Sequence, residues 1–428
     1  MNYRAPFTPS TQRGAATLVV TLVLSVALLL TAVFVNRNLV VEQRASAHQV
    51  RSTQAFEAAE AGLEWAVARL NEPAPIGSGC LPSNDPAATS FRERYLNHDR
   101  TNATFAVTTW NQGGVPSPRQ IACVHSGSGW ACSCPASGPP SLPAPGGTGT
   151  SAAFMLQFRA DAQAGIVRLV STGCSSLGGA CASSTGSTPD ATARVEVALG
   201  LVPGLKTAPA AALTARGAVD AGGAALGLHN SDVASGGVAV HAGGVVAVAQ
   251  ARVTAPAGST TDNTIVGDDT TLASQSSDAF FASYFGMGRA DWQAQPVVKS
   301  LSCDGGNCAD TLLAAIEPRV VRSLIHVAGD LRLDGPAALG TPQRPVLLVV
   351  DGAAQLRGAV TIHGLLYSRT LSWDDTTAAG ALLRGAAITE GNYSGQGAPD
   401  FFYDAAVLSL LKTNTGSFAR VNGSWRDF

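Results

Sequence analysis

The hydrophobic positions of this chain fall into three successive textures. From Ala15 to Val35 they form an uncharged run of about 21 residues, close to the roughly 20 a helix needs to cross a bilayer. Its polar members are Thr17, Thr21, Ser25 and Thr31, whose hydroxyls can bond back to the helix's own carbonyls. The helix continues without proline through Asn36–Leu70, where a stripe emerges: Phe56, Leu63 and Leu70 recur every seven residues, with Ala59, Ala66 and Val67 on the same face. Glu57, Glu60, Glu64 and Arg69 point elsewhere, so Phe56, Leu63, Val67 and Leu70 are expected to pack the helix on its own domain. Asn71 and Pro73 end it. At 1.5 Å per residue the predicted helix is about 84 Å long.

The second texture, residues 73–203, begins rich in Pro, Gly and Ser, with a low-complexity loop over Pro135–Gly149. Three strands follow: Ala153–Ala160, Ile166–Thr172 and Ala193–Leu201. Gln157, Arg159, Arg168, Arg194 and Glu196 alternate there with apolar neighbours, as in a half-buried antiparallel sheet. The helix laid across it predicts a small α+β domain.

The third, residues 204–412, breaks into runs of three to six apolar residues separated by Gly-Gly, Ser-Gly-Gly or Asp-Gly, such as Val238–His241, Val245–Val248 and Leu324–Val327. The 46 glycines of the chain concentrate here, and short strands with small turns predict an irregular parallel β-helix, with a β-sandwich as the alternative. Residues 278–296, with Phe280, Phe281, Phe285 and Trp292, read as a helical cap inserted into that fold. A helix is expected over Asp404–Lys412, then a C-terminal tail, 413–428.

Charge sets the orientation. The leader Met1–Gly14 carries Arg4 and Arg13 and no acid, which keeps it cytoplasmic and places the bulk of the chain outside. All eight cysteines lie beyond the span, in a compartment where disulfides persist. Cys174 with Cys181, and Cys303 with Cys308, each bracket a Gly-bearing turn and are expected to pair. Cys80, Cys123, Cys132 and Cys134 are expected to form two more links in one of two arrangements, because Cys132 and Cys134 are too close to join each other. The spacing lacks the C-x2-C pairs of structural zinc sites, so no metal is predicted. A net charge of −2 leaves no basic footprint for nucleic acid. Neither a Walker loop, a G-x-S-x-G elbow nor an H-E-x-x-H motif occurs, and no catalytic residue or cofactor is predicted. His241 and His363 read as structural. Asp268-Asp269 and Asp374-Asp375 read as loop acids.

Residues Gln12–Asn71, with Arg13-Gly14 ahead of the apolar run and Ala55-Phe56-Glu57-Ala58-Ala59-Glu60-Ala61-Gly62-Leu63-Glu64-Trp65 beyond it, resemble PilX-type minor pilins of bacterial type IV pili. The resemblance implies cleavage between Gly14 and Ala15 by a prepilin peptidase, methylation of the new N-terminus, and assembly with other minor and major pilins through inner-membrane machinery. It implies an inner-membrane protein with its bulk in the periplasm, destined for the pilus or cell surface. A major pilin of this kind has Glu at the fifth mature position; here that position is Val19. The remaining chain resembles Gly-rich regions attached to some pilus-assembly proteins. Alternative roles for it are a surface adhesin with a surface or glycan ligand, or a membrane-anchored enzyme acting on polysaccharide.

Overall fold

The computed structural model describes residues 14–99, 104–127, 129–142, 151–177, 181, 191–303, 305–316, 323–375 and 380–428. Helix α1 runs unbroken over Gly14–Asn71. In its first half the hydroxyls turn inward to the helix: Thr21 donates to the Thr17 carbonyl at 3.0 Å, Ser25 to Leu22 at 2.9 Å and Thr31 to Ala27 at 2.9 Å. The side chains there stay fully apolar towards their surroundings, and nothing in the protein covers them. This is a helix long and apolar enough to cross a membrane.

The second half of α1 lies across an antiparallel sheet. Its strands run in the order Gly416–Arg420, Thr192–Pro203, Ile166–Cys174, Ala153–Ala160, Gln120–His125, Trp130–Ser133. The segment expected as a tail, 413–428, is not one. Gly416–Arg420 and Arg426–Asp427 both pair with Thr192–Pro203, which is long enough, at 12 residues, to hold them in succession. Hydrogen bonding to a partner more than 200 residues away determines this, and no local pattern announces it.

Four disulfides close on the described residues: Cys80–Cys134, Cys123–Cys132, Cys174–Cys181 and Cys303–Cys308. Of the two open arrangements, the sheet selects one. Cys123 and Cys132 face each other on neighbouring strands, leaving Cys134 to reach the loop after α1 at Cys80.

Between Pro203 and Gly416 the chain builds two further sheets, one of 12 strands and one of six, whose strand pairs are all parallel among the described residues. Strand Val346–Val350 shows why the sequence there is continuously apolar. Val346, Leu348 and Val350 point between the two sheets, while Leu347 and Val349 point to the opposite face, under helices. Those helices, Ser277–Phe285 and Arg289–Gln293, supply Phe280, Phe281, Phe285 and Trp292 to that second cluster.

The chain joins this stack in its middle. The first turn, 213–229, pairs on one side with 240–254 and on the other with the last turn, 382–403. From 213 the chain winds outward to Ile265–Val266. Residues 270–293 then carry it to the far end, where Val298–Ser302 starts the remaining turns back towards the middle. Both connections to the first sheet therefore leave from one place. Gly204 N donates to Thr415 O at 3.0 Å, and the Trp292 indole donates to Gly204 O at 2.8 Å. Topologically, the parallel unit is inserted between two neighbouring strands of the antiparallel sheet.

Candidate functional site: the long helix and its seat

Small residues let α1 sit low on the antiparallel sheet. Ala55, Ala58, Ala59, Gly62 and Ala66 are buried, together with Leu63 and Leu70. Of the four residues expected to pack the helix, Leu63 and Leu70 are fully covered, whereas Phe56 and Val67 lie half-buried at the margin. The closest approach is made by glycine. A Cβ on Gly173 would lie 2.0 Å from the Ala55 carbonyl oxygen and 2.4 Å from the Ala59 nitrogen, and one on Gly62 would meet Ser171 Oγ at 2.5 Å. The Ala-Ala-x-x-Gly portion of the motif is thus the contact itself. Its carboxylates Glu57, Glu60 and Glu64 face outward.

The C-terminal strand locks the helix end. Asn71, at the last position of α1, imitates a strand backbone: its side chain donates to Phe418 O at 3.0 Å and accepts from Phe418 N at 2.7 Å. Arg420 pairs with Glu64 at 2.6 Å. Beneath the helix end, Arg94 donates to the carbonyls of Gly77, Cys134 and Ile76, and burial pulls its guanidinium below its ordinary pKa. Tyr95 beside it is raised by the same desolvation.

At the other end, α1 begins at Gly14. The leader 1–13 and the side chain of Ala15 lie outside the described residues. Val19 is 60% exposed, on a helix whose apolar surface is open all round.

His241 and Asp269 pair with each other, and Asp374-Asp375, expected in a loop, instead end the strand Thr370–Asp375. Asp269 accepts from His241 at 2.8 Å and from the backbone of Thr271 and Leu272 at the start of a helix, and these contacts hold its carboxyl below the usual range. Asp374 accepts from Gln396 N. Burial, then the neighbouring Arg384 charge, lowers the His363 imidazole. Among the described residues no three or more His, Cys, Asp or Glu group as a metal site.

Sequence reasoning missed one polar cluster, at the edge of the 12-stranded sheet. The parallel register sets Ser300 opposite His326, and Asp351 follows one strand further on. Ser300 Oγ lies 3.2 Å from His326 Nδ1, and His326 Nε2 lies 2.8 Å from Asp351 Oδ2. Arg289 reaches Asp351 at 3.3 Å and also pairs with buried Glu390, which accepts from the Tyr367 hydroxyl at 2.8 Å. Residues 26 and 25 apart carry no motif. Only the strand register unites them.

Residues 13–64 match the family model described as PilX N-terminal. The resemblance of this N-terminal segment to PilX-type minor pilins therefore stands on the helix. Among solved structures, the competence-associated pilin ComZ from Thermus thermophilus is similar at 14% identity and a TM-score of 0.21, covering 88% of this chain and 98% of that one. No curated protein matches the chain.

Proposed function

We propose that this protein is a minor pilin-type subunit acting in assembly of a type IV pilus, anchored by α1 in the inner membrane with its leader cytoplasmic and its bulk periplasmic. The match of residues 13–64 carries the proposal. Supporting it are the uncovered apolar half of α1 and the glycine-tight seat of its other half on an antiparallel sheet. In this reading α1 and the first sheet work by packing, against other minor and major pilins, after prepilin peptidase has removed the leader at Gly14–Ala15.

Val19 favours a position at the tip or base. Where subunits stack in series, an N-terminal ammonium buried in the apolar core needs a carboxylate, and an unpaired buried charge costs several kcal/mol. Val19 offers none. The parallel unit is read as a short irregular β-helix, supported by its turns of strands in consecutive parallel register. Its insertion between two strands of the seat favours an accessory role, such as adhesion to a surface or glycan, because the seat's own strands close without it.

That separation is testable. Replacing Leu205–Asn414 by a short Gly/Ser linker joins two ends already hydrogen-bonded at Gly204 and Thr415. Cells carrying this variant in place of the native chain are expected to show normal numbers of pili. Attachment lost with piliation intact identifies the insertion as the adhesive part. Loss of pili, with the variant present at native levels, contradicts an assembly role confined to the helix and first sheet.

A further inference from the structure

We propose that Ser300, His326 and Asp351 form an acyl-transfer site on the parallel unit, with Ser300 the nucleophile, independent of the assembly role of α1. The proton logic of the cluster carries it. A carboxylate only accepts hydrogen bonds, and Asp351 Oδ2 lies 2.8 Å from His326 Nε2, so a neutral imidazole carries its proton on Nε2. The bare lone pair is then on Nδ1, which faces Ser300 Oγ at 3.2 Å. This is a hydroxyl in reach of a general base that a third group orients. Arg289 at 3.3 Å keeps a positive charge against Asp351. Gln293, from the cap helix, donates its amide N–H to Asp351, 3.3 Å from both oxygens, and so holds the carboxylate that orients the ring. His326 is buried, while Ser300 is exposed. The base is fixed and the nucleophile is open to solvent.

The reaction this arrangement supports is transfer from an ester. Ser300 Oγ bonds to the acyl carbon as its proton passes to His326 Nδ1, and Asp351 stabilises the resulting imidazolium through Nε2–H. The ester C–O bond then breaks, and the alkoxide leaves with the proton from Nδ1. Water, deprotonated by the same nitrogen, releases the acid and restores Ser300. Among the described residues Val298–Ser302 is the last strand of its sheet, and an oxyanion at this edge would draw on backbone amides there. An exposed serine at a sheet edge suits an acyl group displayed on a larger molecule.

The full-length protein in detergent, treated with a fluorophosphonate, tests this directly. The serine oxygen displaces fluoride from phosphorus, and peptide mass mapping locates the adduct. Ser300 is expected to react at least about 100-fold faster than exposed Ser409, the scale of general-base assistance. Ser300→Ala is expected to lose the adduct. His326→Gln retains an amide donor to Asp351 but no base, and should label about 100-fold more slowly with an unchanged melting temperature. Labelling of Ser300 no faster than Ser409, or as fast in a folded His326→Gln variant as in the native chain, overturns the proposal and leaves a polar relay that only braces the sheet edge. Should His326→Gln melt early, the comparison of Ser300 with Ser409 in the native protein decides alone.

Discussion

Valine at Gly173 is expected to unseat the long helix. The added Cβ falls 2.0 Å from one backbone atom of α1 and 2.4 Å from another, and neither can move without the helix moving. Lifting α1 uncovers Ala55, Ala59 and Leu63 and strains the Asn71–Phe418 lock. Overpacking ordinarily costs 1–3 kcal/mol, and a backbone clash with lost burial raises the expectation to about 4 kcal/mol. Set against a typical stability of about 5–15 kcal/mol, that is enough to lower the protein's level in cells and expose it to protease. Gly129→Ala, which meets nothing within 4 Å, should change stability by no more than about 0.5 kcal/mol. Urea unfolding followed by limited proteolysis compares the two. Equal stability of both variants would refute the close seat.

Substituting Val19→Glu is expected to let the subunit into the filament shaft. The new carboxylate can meet a neighbouring subunit's ammonium, and relief of even about 1.4 kcal/mol changes occupancy tenfold. Immunogold labelling of sheared pili should show the native chain sparsely, at ends or not at all. With Val19→Glu the signal should spread along the shaft, provided the inserted β unit fits between neighbours. Regular shaft labelling by the native protein would refute the role given to Val19.

Much of this organisation can be read locally, and the exceptions share a cause. The helix, its end at Asn71 and the alternating strands at 153–160 and 166–172 follow from period and turn chemistry. Leu63 and Leu70 were legible because leucine marks a stripe. Ala55, Ala58 and Gly62 carry little hydrophobic signal, and their role depends on Gly173 across the contact. Short apolar runs between glycines announce stacked strands but not that 213–229 lies between 240–254 and 382–403, since parallel pairing is set by partners far along the chain. The same non-locality hid the pairing of 416–420 with 199–203 and the meeting of Ser300, His326 and Asp351.

Whether α1 is a processed pilin-type helix is tested most directly by the mass of the membrane-extracted protein. In cells with an active prepilin peptidase, the mature chain should begin at Ala15, lack Met1–Gly14 and carry one added methyl group. An intact leader in those cells would contradict the pilin reading and leave a membrane protein with a single uncleaved span.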